Sequence, residues 1–463
     1  MRSIPIRAML AYPGKFWARR SLVERLAMII VPVAMGGALA TVVVLILAIP
    51  PLLDFLGANL PLIRFFVAAT VILLMTVPTA FVIIYLELKV IARVNLRVGP
   101  NRIGPFGIAM SLLPGLKVLA KEDFTPTGVD STVFTLAPVV TYLGSVMTLL
   151  VIPFAPGVVG LDLNIGLLYF FAMSGLTVLG LLMAGWSSFN KYSLLGGLRS
   201  AAQMVSYEIP LTLSVVGVII LASTKTAQTL SLSHIVMAQS GSVLDWFVFK
   251  QPLAFLIFFI AATAEANRTP FDVTEADSEI VAGFATEYSG MRFGFFFFAE
   301  YVNVFIVSAL IATIFFGGWN APFNWPWPMN LNAIPALSFG VAGWAAIIVT
   351  AVLFGTYFLA MLIRVFGGRN WSSPSALTMG LILNFVILGG VVTLAGFIAF
   401  DWVRGLVMVM AKTYAFVVTF IWMRATLPRV RVDQLMGFAW KWLLPASLLN
   451  IFVTATAVII LNR

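Results

Sequence analysis

Residues 293–316 read FGFFFFAEYVNVFIVSALIATIFF. A helix rises about 1.5 Å per residue, so this run is long enough to cross the roughly 30 Å of hydrocarbon in a bilayer. Its one charged residue is Glu300. Blocks of the same kind recur on both sides of it. They predict eleven transmembrane spans, near 27–49, 62–88, 132–154, 165–186, 200–222, 252–265, 293–316, 338–363, 377–400, 403–423 and 441–461. The whole-chain composition agrees. Of 463 residues, 61 % are hydrophobic and 10 % charged, against roughly 45–50 % and 25 % in soluble domains. So little charge cannot cover a water-facing surface, and the chain reads as an all-α polytopic membrane protein.

Composition also removes several chemistries. There is no cysteine, which excludes disulfides, iron–sulfur ligation by this chain, thiolate nucleophiles and Cys-ligated zinc. The only histidine, His234, falls in a polar stretch and is expected to be a surface residue; a haem bundle or an HExxH-type metal site cannot be built from it. The net charge of +10 is explained by membrane insertion rather than by nucleic acid, because Lys and Arg are retained on the cytoplasmic side. With the N-terminus inside, most of the 28 basic residues fall in inside segments. Outside there remain Arg64, Lys225, Lys250, Arg404 and Arg463, and Lys412 lies within a span. This predicts an eleven-span topology with a cytoplasmic N-terminus. The first span has a long apolar core and no small-residue cleavage site, so it is not read as a cleavable signal.

The expected outside loops are plain, with Trp319, Trp325 and Trp327 placed as in an aromatic belt. The inside loops are not. In segment 89–131, Lys89 and Arg97 precede Gly99-Pro100 and Gly104-Pro105, with Arg102 between the two pairs. Two Gly-Pro pairs so close forbid a continuous helix. Beyond them, Leu112, Leu113, Leu116 and Leu119 at helical spacing, with Lys117 and Lys121 opposite, predict a helix lying in the membrane interface. No phosphate-binding glycine motif is present.

The second unusual loop follows the short sixth span, which Pro270 stops. Between 265 and 287 it gathers Glu265, Asp272, Glu275, Asp277, Glu279 and Glu287, six of the chain's 18 carboxylates, with Arg268 and Arg292 to answer them. Thr274 with Asp277 resembles a helix N-terminal cap, and Asp272, Glu275 and Glu279 share a helical face. Like charges so close raise some carboxyl pKa values, which predicts proton handling or substrate entry here. Glu208 and Glu300 lie inside spans, while Glu87 and Glu265 close theirs. A charge at mid-membrane costs roughly 2.5–3.5 kcal/mol, so each is expected to be paired, protonated or wet. Lys412, Arg199 and Arg424 are the candidate partners.

These residues resemble a known family. The words Glu87-Leu-Lys89, Arg97-Val-Gly-Pro-Asn101-Arg-Ile-Gly-Pro-Phe-Gly107, Lys191-Tyr-Ser-Leu-Leu-Gly196, Ser206-Tyr-Glu208, the run Ala264–Tyr301, Gly317-Gly-Trp319, Arg424-Ala-Thr and Arg429-Val-Arg431-Val-Asp433-Gln-Leu435 are similar to the quinone-site membrane subunit of respiratory complex I, the H subunit of the bacterial enzyme. Arg268-Thr-Pro-Phe-Asp272 and Thr286-Glu-Tyr-Ser-Gly290 are its most specific words. The resemblance covers about 62–324 and 403–461. It implies a core subunit of a proton-pumping NADH-quinone oxidoreductase, with no complete active site in this chain. Quinone is the implied substrate. No cofactor is bound by this chain, and flavin and iron–sulfur clusters are carried by partner subunits. The implied partners are the peripheral-arm quinone-site and 4Fe–4S subunits, the small membrane subunits and the antiporter-like subunits, all in a lipid bilayer and without nucleic acid.

By the same resemblance, Arg268, Asp272, Glu275, Asp277, Glu279, Glu287 and Arg292 belong to the chamber and its acidic loop. Glu208, Glu265 and Glu300 belong to the proton path, and Glu87, Lys89, Arg97, Arg102 and Lys117 to the loop beside the chamber. The chain departs from the family at Leu88, Met110, Pro114, Thr274 and Ala285, which places any difference in partner contacts or quinone type near the chamber entrance. Three spans are additional to the eight-helix family core. The expected organisation is therefore an N-terminal segment with an extra helix (1–61), core helices (62–324), an inserted helix pair (325–402) and C-terminal core helices (403–463). The membrane subunit of an energy-converting hydrogenase-type complex is the alternative. An independent ion transporter is a third reading, disfavoured because no internal repeat is visible.

Overall fold

The computed structural model describes residues 61–101, 105–225, 230–272, 282–322 and 401–461. The expected spans at 27–49, 338–363 and 377–400, and Glu275, Asp277, Glu279, Arg102 and Thr274, lie outside the described residues. By its contacts the chain divides into two compact units, Leu56–Trp325 with Gly405–Arg463, and Met1–Phe55 with Pro326–Arg404. Nearly all described residues belong to the first.

That unit is helical, and no strand occurs among the described residues. Its helices are α1 (Pro61–Val94), α2 (Leu112–Ala120), α3 (Ser131–Thr148), α4 (Gly166–Ser187), α5 (Lys191–Lys225), α6 (Leu232–Met237), α7 (Phe247–Lys250), α8 (Pro252–Glu265), α9 (Gly290–Phe315), α10 (Asp401–Thr426), α11 (Val432–Phe438) and α12 (Leu444–Leu461). A π-helical turn at Ala439–Leu443 joins the last two. Seven of the resulting rods are long and apolar enough to cross a membrane, and α8 is a shorter apolar helix. The protein is an all-α polytopic membrane protein.

α5 is the hub, packing against α4, α8 and α12, and α9 packs against α1, α2 and α3. α9, the helix of residues 293–316, is buried along most of its length. Lipid offers apolar side chains no incentive to leave it, so helices in a membrane associate through close packing at small residues. α3 and α4 meet this way: a Cβ on Gly180 would lie 2.2 Å from Thr141 Oγ1. Asp130 caps α3, accepting hydrogen bonds from the Thr132 and Val133 backbone N–H groups at 3.2 and 3.4 Å.

The structure moves two expected boundaries. α1 runs on to Val94, so Glu87 and Lys89 are helical residues rather than loop residues. α5 starts at Lys191 rather than near 200. Gly196 in this first part of α5 allows backbone contact, since a Cβ on it would stand 2.6 Å from the Gly283 Cα. His234 is not in a loop; it sits half-buried on α6. A helix forms where the interfacial one was expected. α2 has no buried residue, and its Leu113, Leu116 and Leu119 are all exposed.

Candidate functional site

α8 ends at Glu265, and the next residues turn away from its axis. Asn267 takes a left-handed φ of 49°. The turn carries Arg268 back into the bundle, where it is 4 % exposed. Its Nη1 lies 3.6 Å from Glu87 Oε1 on α1, and its Nη2 3.2 Å from Glu300 Oε1 on α9. Tyr301 lies beneath the guanidinium, 4.7 Å from ring centroid to Arg268 Cζ. Arg424, near the end of α10, makes a short hydrogen bond to Glu87. The four charges alternate as Arg424, Glu87, Arg268 and Glu300, so the cluster is neutral as a whole. Burial opposes the Arg268 charge, but Glu300, Glu87 and Tyr301 outweigh it and raise its pKa above the ordinary arginine value.

The cluster is not fully bonded. Glu87 Oε2, Asp272 Oδ1 and Arg268 Nε have no hydrogen-bond partner among the described residues. Asp272 is held on its other oxygen by Arg429 at 3.1 Å. Charged atoms left short of partners in a low-dielectric interior respond strongly to any nearby change of charge.

Glu265 is buried, within electrostatic range of Glu208 and within hydrogen-bond reach of Ser174. Glu208 is half-buried on α5. Its neighbour Tyr207 is buried and donates to the Leu435 carbonyl at 2.9 Å. Between α3, α4, α5 and α9 lies a narrow cavity of about 50 Å³, lined among others by Thr141, Thr177, Met204, Asn267, Glu300 and Asn303. One water needs roughly 10–15 Å³ of such space and two to four polar neighbours. The cavity therefore suits a few waters and is too small for a quinone ring.

The remaining expected residues divide. Glu287 accepts a hydrogen bond from Asn190 Nδ2 at 2.5 Å. Arg292 pairs with Asp123 at 3.2 Å and lies over Phe134. Between them, Tyr288 stacks on Phe134 with ring centroids 4.0 Å apart and donates to the Phe134 carbonyl at 3.2 Å. Burial pushes its phenol up to about 12, so it remains a neutral donor. These three residues bolt the 283–292 segment to α3 and α4. Lys89 Nζ donates to the Pro100 carbonyl and to Asn101 Oδ1, at 2.8 and 2.7 Å, stapling the first Gly-Pro turn to α1. Arg97 and Lys117 are exposed.

Arg429 was legible only as part of a motif word, and Tyr301 and Gln203 not as site residues at all. Of the cations expected to answer intramembrane carboxylates, Arg424 does. Lys412 does not, because its Nζ donates to three backbone carbonyls, those of Phe316, Gly318 and Asn320, at 2.7–2.8 Å.

Comparison with known proteins bears on this geometry. The family model described as NADH dehydrogenase matches residues 66–455. A relative from Solibacter usitatus, named as an H subunit of NADH-quinone oxidoreductase, is 40 % identical over 405 residues, 84 % of this chain and 95 % of the relative. The NADH-quinone oxidoreductase H subunit of Geobacillus kaustophilus is 42 % identical over 386 residues, 83 % of this chain and 91 % of the relative. That of Dehalococcoides mccartyi is 41 % identical over 382 residues, 82 % of this chain and 83 % of the relative. The chain that places Arg268 between Glu87 and Glu300 belongs to the NADH dehydrogenase family, among relatives that are H subunits of NADH-quinone oxidoreductases.

Proposed function

We propose that this chain is the core membrane subunit of a proton-pumping NADH-quinone oxidoreductase, forming the membrane side of the quinone chamber and the start of the proton path. The observation that carries the reading is the buried chain Arg424–Glu87–Arg268–Glu300 at the turn after α8. Reduction of a quinone to a quinol takes two electrons and two protons. The electrons come from iron–sulfur centres of partner subunits, and no group of this chain carries them. What this chain supplies is a held cation, a set of carboxylates and an apolar wall suited to an isoprenoid tail.

Charge developing on the quinone attracts Arg268, and the same guanidinium is the counter-ion of Glu300. Any pull on Arg268 therefore changes the proton affinity of Glu300. Glu300 faces the water-sized cavity with Asn303 and Thr141, which gives a transferred proton a short polar route. Glu208 and Glu265 form a second carboxylate pair beside it. Asp272 and the acidic residues Glu275, Asp277 and Glu279 take the chamber side. Segments 1–61 and 325–402 are additions to the family core, and the N-terminus lies in the cytoplasm of a prokaryotic cell, the chain crossing its inner membrane. The partners are the peripheral-arm, small membrane and antiporter-like subunits.

The test replaces Arg268 with Gln in the complete complex. Quinone reduction is expected to fall at least about tenfold, while oxidation of NADH by an artificial acceptor, which needs only the peripheral arm, stays near wild type. Equal loss of both activities would mean failed assembly and would remove this support.

A further inference from the structure

The turn that presents Arg268 is not held by its own hydrogen bonds alone. Within it, the Arg268 N–H donates to Thr263 O at 3.3 Å and the Phe271 N–H to Arg268 O at 2.9 Å. Asn267 sits in the left-handed region, with a φ of 49°. What holds the turn from outside is Gln203, a residue of α5 that is 2 % exposed. Its Nε2 donates to the Ala264 carbonyl at 2.7 Å and to the Phe271 carbonyl at 2.8 Å, with Asn267 Oδ1 at 3.2 Å. An amide nitrogen has two hydrogens, and the two carbonyls take them. They also fix the amide's orientation, because the reversed group would set its oxygen against two carbonyl oxygens.

The contacts lie on both sides of Arg268 in sequence, so the amide clamps the whole turn. One helical turn along α5, Tyr207 packs against Phe271 with centroids 5.5 Å apart. The Val430 N–H donates to the Pro270 carbonyl at 2.9 Å. The helix that carries Glu208 therefore grips the turn that carries Arg268.

We propose that Gln203 is a positioning residue that sets where Arg268 sits between Glu87 and Glu300. It acts through Arg268 and does not touch the quinone. The inference rests on the quinone-site reading above, and it separates Gln203 from a residue that merely stabilises the bundle.

The experiment uses the membrane-bound complex with Gln203→Leu, which keeps most of the volume and removes the donor. Quinone turnover is expected to fall about tenfold, with a raised quinone KM and retained artificial-acceptor activity, as displacement of a group by about 1 Å allows. Placed on Arg268→Gln, the same change should lower turnover by no more than about twofold, because residues acting as one unit are not additive. Multiplying losses in the double variant, or wild-type turnover in the single one, would overturn the proposal. If Arg268→Gln itself keeps full quinone turnover, the quinone-site reading fails instead. The positioning claim is then decided by a structure of the Gln203→Leu complex, where an Arg268–Glu300 separation unchanged from 3.2 Å overturns it. Should Gln203→Leu not assemble, Gln203→Asn replaces it, keeping the amide one methylene short. Failure of both to assemble would assign Gln203 to folding and also overturn the proposal.

Discussion

The two carboxylates that face Arg268 are not equivalent. Glu87 meets two guanidiniums, those of Arg268 and Arg424, and its side chain is 9 % exposed. Glu300 meets one, and its side chain is 22 % exposed and lines the cavity. Removing one member of a buried ion pair typically costs about 3–5 kcal/mol, because the other member is left buried and unanswered. Glu87→Gln strands two cations and is expected to lower the amount of assembled complex in membranes, read by artificial-acceptor activity and native gels. A full complement of complex would show that the pair carries no such load. Glu300→Gln removes one partner of Arg268, which keeps Glu87, so assembly should survive. Glu208→Gln should survive for a similar reason, since Glu208 is only half-buried. In both, proton-coupled quinone reduction should fall about 100-fold, the lower end for loss of a positioned general acid or base. Wild-type turnover with full pumping in both variants would remove the carboxylates from the path.

At the scale of elements, what the residues announced depended on how far apart their partners lie. Apolar runs fix spans locally, and 252–265 was readable to the residue, because Pro252 opens α8 and the turn at Asn267 follows its end. The start of α5 was hidden because what Gly196 and Gly197 serve, close approach of the Gly283 and Gly185 backbones, lies far from them in sequence or on another helix. Arg268 was legible by its buried, acid-rich context. Its partners on α1 and α9 were not, since no local pattern pairs residue 268 with residue 87 or residue 300. Lys412 shows the same limit. Its three carbonyl acceptors cluster at the C-terminal end of α9 and just beyond, and Trp246 lies under the ammonium at 4.4 Å. A cation there satisfies the carbonyl of the α9 cap residue Phe316 and two beyond it, and complements the negative pole of the helix. Lys412→Met leaves those carbonyls without a donor, at roughly 1–3 kcal/mol for each buried group left unsatisfied. The expected result is a thermal midpoint lowered by several degrees for the purified complex, with quinone KM unchanged because the Arg268 cluster is untouched. An unchanged midpoint would show that water replaces the ammonium.

For the whole molecule, the distribution of charge makes a claim about orientation that the apolar runs cannot make. An eleven-span chain with a cytoplasmic N-terminus puts segments 89–131, 187–199, 266–292 and 424–440 on one side, together with the Arg268 turn, Arg424 and Arg429. The absence of cysteine makes this unusually easy to test, since single introduced cysteines carry no background from this chain. Ser3→Cys, Ser240→Cys and Ser373→Cys report on the N-terminus, the α6–α7 connection and the segment between the spans expected at 338–363 and 377–400. Ser240 is exposed and accessible to reagent. A membrane-impermeant maleimide should label Ser240→Cys in right-side-out vesicles, and Ser3→Cys and Ser373→Cys only in inverted ones. Labelling of Ser3→Cys from outside would leave no span before residue 62. Labelling of Ser373→Cys from outside would break the inserted pair, because a pair of crossings is what returns α10 to the orientation in which Arg424 meets Glu87 on the same side as Arg268. The ion-pair cluster and the topology thus constrain each other: α1, α8, α9 and α10 must all bring their charged ends to one face of the membrane, whatever the added segments do.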